Sequence, residues 1–335
     1  MRRNLWLAGF GLVNGFIFLW SGDILFYYGL IALIVFPFRT LAPKWLLLIA
    51  AGVVVFGASW NFMDNAELLE KHAAYELIES ERATPTSDQE ELAKAWKGAL
   101  EKFEYTQEEQ QAYIEARTAS YSSAFEQVSE ETRQSQSWAF YRYIFSDVFS
   151  MMLIGLALFK MGVFTLERST KFYVALAVVG YGIGLTVNTL ETRWIIDNDF
   201  SLLAFSQARW SYVLGRLATT AGHLGLLLLI ARWGVFPLFQ HALACVGRMA
   251  FTNYLTHSVV CAIIFVGLGY FGQLERHQLY YVVFGIWTAQ LVLSPLWLSK
   301  FSMGPLEWLW RALTYGTLPS MRRSPPTGSR LEIPA

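Results

Sequence analysis

Apolar runs long enough to cross a bilayer as helices recur eight times along this 335-residue chain. They cover residues 4–20, 24–39, 44–62, 142–164, 172–190, 210–231, 246–268 and 279–298. All are too long for strands, and backbone polar groups in hydrocarbon need partners within their own segment, which helices supply. The fold class that follows is all-α, a polytopic transmembrane helix bundle of about eight spans. Composition agrees: 54% of residues are hydrophobic and 16% charged, richer in apolar and poorer in charged residues than an average soluble domain. The amino-terminal run has two Arg ahead of it but no small-residue cleavage site behind it, so it reads as a retained span rather than a secretory signal. Cys245 and Cys261 form no CxxC pair and read as buried thiols; neither a metal nor a disulfide is expected.

The formal net charge is zero, yet the charges are unevenly spread. Residues 63–137 hold 17 acids against 7 bases. Counting connections in order sends Arg2, Arg3, Arg39, Lys44, Arg168, Lys171, Arg232, Lys300, Arg311, Arg322 and Arg323 to one side of the membrane. Lys and Arg near span ends mark the cytoplasmic side. Both termini are therefore expected in the cytoplasm, and the acidic segment outside a bacterial inner membrane. The domain organisation is spans one to three in 1–62, an extracytoplasmic acidic helical insertion in 63–137, spans four to eight in 138–300, a cytoplasmic interfacial helix in 301–318 and a disordered tail in 319–335. The acidity argues against nucleic acid as a partner; the bilayer itself and a small-molecule or lipid substrate are the expected ones.

Within the insertion, apolar spacing predicts three amphipathic helices, with Ser87 or Asp88 as one cap and Thr106 with Glu109 as a capping box. In the tail, Gly304, Pro305 and Gly316 bracket a short helix. Leu306, Leu309, Trp310 and Leu313 share one of its faces, and Glu307 and Arg311 form an i,i+4 pair on another. Gly180 and Gly184, like Gly11 and Gly15, have the spacing of close helix packing.

Ionisable groups inside spans are costly and often functional. "GRLATTAGHLG" (215–225) puts Arg216, Thr219, Thr220 and His223 on one helical face. "GRMAFTNYLTHS" (247–258) carries Arg248 near one end and sets Asn253 and His257 four apart. His223 and His257 are the candidate catalytic groups for proton or acyl chemistry; interhelical hydrogen bonding is the competing role for each, as it is for Asn253. Lys160 and Arg142 read as snorkelling side chains, Asp147 as a member of a polar cluster, and Glu191 as a partner for Arg193 or Arg216. Asp23 sits in a tight turn, helped by Gly22, between the first two spans. Two roles fit it: a cap on helix two, which its position favours, or a polar group at the mouth of a site. No set of residues has metal-ligand spacing.

"SGDILFYYGLIAL", "GRMAFTNYLTHS" and "WLSKFSMGPLEWLWRALTYG" together resemble the domain-of-unknown-function-418, or YeiB-like, family of bacterial membrane proteins. The likeness covers 5–40 and 140–318. Its motifs fall on Gly22–Leu25, Thr252–Leu255 and Gly304–Arg311. Members of that family usually begin with a further region carrying an L-D-x-x-R-G-type motif, and tend to have His where this chain has Asn14. If those groups belong to the active site, the chain is expected to be a fragment, to start at a misassigned Met, or to be inactive. The resemblance extends distantly to transmembrane acyltransferases, which implies passage of an acyl group from a cytoplasmic donor to an outside acceptor. On that reading His257 or His223 is the base or relay, and Arg216, Arg248 and Asn253 serve the donor or substrate. Asp23 then lines the outer mouth, and Asn14 counts among the substrate- or donor-binding residues. No tightly bound cofactor is implied; the donor is of the acyl-CoA type. The alternatives are a transporter or flippase for a small polar solute or lipid, and a non-catalytic membrane partner protein.

Overall fold

The computed structural model describes residues 1–80 and 84–322. The expected disordered tail and Arg323 lie mostly or wholly outside the described residues. The helices in chain order are α1 (Arg2–Leu12), α2 (Leu25–Val35), α3 (Pro43–Glu79), α4 (Ser87–Phe103), α5 (Gln107–Thr118), α6 (Tyr121–Gln136), α7 (Phe145–Lys160), α8 (Thr170–Asp197), α9 (Leu202–Trp233), α10 (Pro237–Arg248), α11 (Ala250–Cys261), α12 (Arg276–Lys300) and α13 (Pro305–Tyr315). π-helical turns extend α1 over Val13–Ile17, precede α7 over Phe140–Ile144 and extend α11 over Ala262–Gly267. The fold is all-α and polytopic. Six helices among the described residues are long and apolar enough to cross a membrane; Leu25–Thr40 is apolar but shorter. A 16-residue helix rises about 24 Å, short of a hydrocarbon core of about 30 Å.

Two expectations about continuity change. The seventh apolar run is broken at Met249, so Arg248 ends α10 while Asn253 and His257 ride on α11. The 62/63 boundary falls inside one unbroken helix, because α3 carries its apolar half directly into its acidic half.

The chain divides into two compact units. The first comprises 1–33, 114–137 and the described residues from Phe236 onward; the second comprises 34–113 and 138–235. The acidic segment is therefore shared between them.

In the first unit, α1 and α2 form a hairpin. The left-handed residue in its turn is Leu19 (φ 57), not Gly22. Leu19 is buried with Ala124 and Val128 of α6, and that burial offsets the backbone strain. Gly11 is needed for a different reason: a Cβ there would run into the Phe26 backbone and the Asp23 carboxylate. Leu25, Phe251 and Leu255 pack with Phe10, Leu306 and Trp310, bringing α13 onto α1 and α11.

In the second unit, α8 and α9 lie in close contact along a seam of small residues. A Cβ on Gly180 would meet the Gly222 backbone, one on Gly184 would meet Thr219, and one on Gly225 would meet Ala177. The Gly180–Gly184 spacing thus serves helix packing, as the sequence suggested. Tyr173, Ala177, Val163 and Leu229 form the core below, and the Tyr173 hydroxyl donates to the Val163 carbonyl at 2.9 Å. Outward-facing positions remain apolar and exposed, among them Leu48, Val55 and Phe56 on α3 and Val178 and Val179 on α8. In water that surface would be unfavourable by about 25 cal/mol per Å2; hydrocarbon is the medium that matches it.

The smaller helices follow local rules. Thr86, not Ser87 or Asp88, caps α4, in a reciprocal box with Gln89. Thr106 and Glu109 form the expected box, with Glu109 N–H on Thr106 Oγ1 at 3.2 Å and Thr106 N–H on Glu109 Oε2 at 2.9 Å. The helix expected after them breaks at Ser120, which caps α6. Gly316 ends α13 in the left-handed region (φ 72).

Candidate functional site

The sequence candidates fall in both units. Asn14, Asp23, Arg248, Asn253 and His257 belong to the first; Arg216 and His223 belong to the second.

In the first unit the family-like motifs converge. Asp23 is 1% exposed and Asn14 0%. Asp23 Oδ1 accepts from Asn14 Nδ2 at 2.8 Å and from the Tyr254 hydroxyl at 3.1 Å, while Oδ2 accepts from Phe26 N–H at 2.8 Å. The π-helical turn places the Asn14 side chain for this contact, and Tyr254 also accepts from Ile24 N–H at 3.2 Å. Asp23 is thus the cap of α2, cross-linked to α11 by neutral donors. Burial pushes its carboxyl up from the ordinary value, against the lowering effect of the Phe26, Asn14, Tyr254 and Leu25 hydrogen bonds.

A second lock joins the other two motifs. Glu307 Oε1 accepts from Phe251 N–H at 2.8 Å and Thr252 N–H at 3.0 Å, and Oε2 accepts from the Thr252 hydroxyl. A carboxylate at the start of α11 meets unpaired helical N–H groups and a favourable dipole. Glu307 is therefore engaged with α11 and not with Arg311. Asn253 donates to the Val246 carbonyl at 3.1 Å and to Ser294 Oγ at 3.2 Å, and its carbonyl accepts from Gln290. Arg248 donates to the Ser302 carbonyl at 3.0 Å. These are packing and tethering contacts. His257 Nε2 is buried without a hydrogen-bond partner. A largely apolar cavity of about 560 Å3 in this unit is walled by Leu19, Trp20, Phe265 and Phe271, with Cys261 at its side.

In the second unit a cavity of about 1020 Å3 lies along α3, α8 and α9. Phe103, Ile195, Leu202 and Phe205 form its apolar wall; Arg209, Arg216, Asn188, Glu191, Thr219 and His223 supply polar groups. Arg216 grips Asp147 with both terminal nitrogens, Nη1 at 2.9 Å from Oδ2. Glu191 accepts from Ser211 Oγ at 2.6 Å rather than from Arg193 or Arg216. Asn188 donates to Thr219 Oγ1 at 3.2 Å. His223 is exposed to the cavity; its Nδ1 lies 2.8 Å from the Thr219 carbonyl and its ring meets Tyr181 edge-on. Among the described residues no group of three His, Cys, Asp or Glu side chains is placed to hold a metal.

Sequence reasoning found Asp147 as a cluster member but missed its partner, which lies 69 residues away. It also missed Arg142, which pairs with Asp64 rather than snorkelling, and the buried Asn65, whose Oδ1 accepts from Ser206 at 2.8 Å. Lys160, by contrast, does reach past its helix end, donating to the Leu41 carbonyl at 2.7 Å. Tyr254 lay inside a quoted motif, yet its role depends on a residue 231 positions away, which no local spacing announces.

The family described as "Protein of unknown function (DUF418)" matches residues 158–317. This region is what the chain shares with the DUF418 family, which it resembles over slightly less than half its length. That region runs from the end of α7 through α13, and so takes in the His223 helix and both the Thr252 and Glu307 motifs. Relatives extend the likeness. "Uncharacterized protein YeiB" of Escherichia coli (strain K12) is 29% identical over 313 residues, 91% of this chain and 72% of that protein. "Uncharacterized protein YxaH" of Bacillus subtilis (strain 168) is 29% identical over 326 residues, 94% of this chain and 71% of that protein. "Uncharacterized 39.9 kDa protein in amylase 3'region" of Bacillus acidopullulyticus is 32% identical over 113 residues, 32% of each chain. No solved structure matches.

Proposed function

We propose that the protein is a membrane acyltransferase whose reaction space is the cavity along α3, α8 and α9, with His223 as general base. The observation that carries this reading is the state of that imidazole. A backbone carbonyl only accepts, so the 2.8 Å contact with Thr219 puts the proton on Nδ1. Nε2 is left with its lone pair beside a cavity of about 1020 Å3.

In that tautomer Nε2 takes the proton of an acceptor hydroxyl or amine. The acceptor attacks the thioester carbonyl, the carbon–sulfur bond breaks, and the imidazolium returns its proton to the departing thiolate. Arg216, steadied by Asp147, and Arg209 offer guanidinium groups to an anionic donor. The apolar wall suits an acyl chain. The orientation that accompanies this reading has both termini in the cytoplasm and 63–137 outside. His257 is the weaker candidate, because it is not among the residues that line this cavity.

The test is turnover of a labelled acyl-thioester by the full chain in nanodiscs. Thiol release and acyl transfer are expected, with His223→Ala slower by about 100-fold or more. Undiminished turnover in His223→Ala, with the loss falling on His257→Ala instead, would reverse the assignment. Transport has one observation in its favour, the helix break at Met249 beside Arg248, since interrupted helices are a common feature of transporter sites. Solute flux in sealed vesicles without chemical conversion would favour that reading.

A further inference from the structure

A smaller cavity in the second unit, about 320 Å3, shares Arg209, Tyr212 and Arg216 with the larger one and adds Arg142, Asp147 and Ser150. Three arginines from two different parts of the chain thus border one space. Arg209 and Arg216, with Tyr212, stand at i, i+7 and i+3 on one face of α9. Arg142 enters from the π-helical turn ahead of α7.

Their charges are not balanced. Arg216 is gripped by Asp147, and Arg142 is paired through Nη2 with Asp64. Arg209 makes no hydrogen bond or ion pair with any described residue. Around the smaller cavity three guanidinium groups therefore meet Asp147 and the Asp64 that pairs with Arg142, while Glu67, Lys71 and Glu191 line the larger cavity that Arg209 and Arg216 also border. Arg142 is also incompletely satisfied. Its side chain is 13% exposed, its guanidinium lies 3.9 Å over the Trp60 ring, and its Nη1 is buried without a partner. A buried cationic donor left without an acceptor is unfavourable, and an added oxyanion would relieve it.

The depth of the cluster narrows the ligand. α3 passes from apolar to acidic sequence at Asp64, directly after Trp60 and Phe62. Trp210 packs against Phe62 with ring centroids 5.0 Å apart. Trp and Tyr side chains gather at the level of lipid headgroups, where apolar sequence gives way to polar. Arg209, beside Trp210, and Arg142, over Trp60, thus belong to the level where phosphate groups lie in a bilayer, and Arg216 stands two turns further along α9.

The geometry points to a phosphate-binding site formed by Arg142, Arg209 and Arg216, open to the phosphate of an anionic lipid headgroup or of a water-soluble phosphate compound. Guanidinium forks match phosphate oxygens in pairs, which suits this donor set better than a single carboxylate ligand. The site shares Arg209 and Arg216 with the donor site proposed above, but phosphate binding needs neither His223 nor a thioester.

Calorimetry on the full chain in a neutral detergent tests it, with inorganic pyrophosphate and dihexanoyl phosphatidic acid as separate probes. Saturable, salt-sensitive binding of at least one probe is expected, weakened about tenfold or more by Arg209→Gln. Arg209 has no hydrogen-bond or ion-pair partner among the described residues, so this variant should keep the wild-type melting temperature. Binding of pyrophosphate supports a soluble phosphate source, and binding of the lipid alone supports a headgroup. Two results overturn the site: neither probe saturates, or Arg209→Gln binds as tightly as wild type. His223→Ala should bind both probes normally, so a failure of acyl transfer with phosphate binding intact removes only the enzymatic reading.

Discussion

Asp23 in the first unit and Asp147 in the second are both carboxylates set among apolar helices, and the fold treats them in opposite ways. Asp23 is sealed, held by Asn14, Tyr254 and a backbone N–H, with no cation paired to it among the described residues. Asp147 is paired with Arg216 and keeps 38% of its side chain exposed at a cavity wall. The first arrangement fixes helix positions and holds the Asp23 carboxylate with donors from within the fold. The second keeps charge accessible. The motifs that make the sequence recognisable sit in the sealed region, whereas the receptive chemistry is built from residues scattered over the other unit.

Four substitutions test that contrast, in decreasing order of effect. Asp23→Ala removes the acceptor of three hydrogen bonds and strands buried donors; a loss of about 3 kcal/mol is expected in thermal or denaturant unfolding in detergent. Glu307→Ala uncaps α11 and should cost about 2 kcal/mol, with Glu307→Gln recovering part of it. Asp147→Ala leaves Arg216 partnerless but in reach of water; after screening, about 1 kcal/mol or less is expected. Thr86→Ala, outside both polar clusters, should cost least, about 0.5 kcal/mol, through the lost α4 cap, whose contact is exposed and 3.4 Å long. An Asp147→Ala penalty larger than that of Asp23→Ala would invert the comparison.

A pH series sharpens it. Burial raises the Asp23 carboxyl above its ordinary 3.8. The folded state therefore holds that proton to higher pH than the unfolded chain, so the stabilisation is fully present below about 3.8 and is lost as pH rises through the folded value. Wild type should lose melting temperature relative to Asp23→Asn as pH is raised from about 4 toward neutrality. A difference that grows in favour of wild type would contradict the sign.

Much of the fold was legible because it rests on local chemistry. Run length named the six span-length helices though it overcounted at the first two runs, Gly180 and Gly184 named a packing seam, and Thr106 with Glu109 named a cap. Asp23 as the cap of α2 was legible for the same reason. The break at Met249 was not, because α10 and α11 are both apolar and no Pro or Gly stands at the joint itself. Left-handed Leu19 was hidden because hydrophobic burial, a tertiary effect, overrides the preference for Gly22. The site was read only in part. Arg216 and His223 share a helical stripe visible in sequence, yet Asp147, which pairs with Arg216, and the Arg142–Asp64 pair come from distant segments. Arg248 and Asn253 looked like site residues because charge and amide in a span are costly; the fold spends them on carbonyl and hydroxyl contacts.

The sealed-versus-receptive contrast is tested most directly by footprinting carboxylates with a water-soluble carbodiimide on the full chain in nanodiscs, read by mass spectrometry. Asp64, Asp147 and Glu191 are expected to be modified while Asp23 stays unreacted. Modification of Asp23 at a rate equal to theirs would contradict the account.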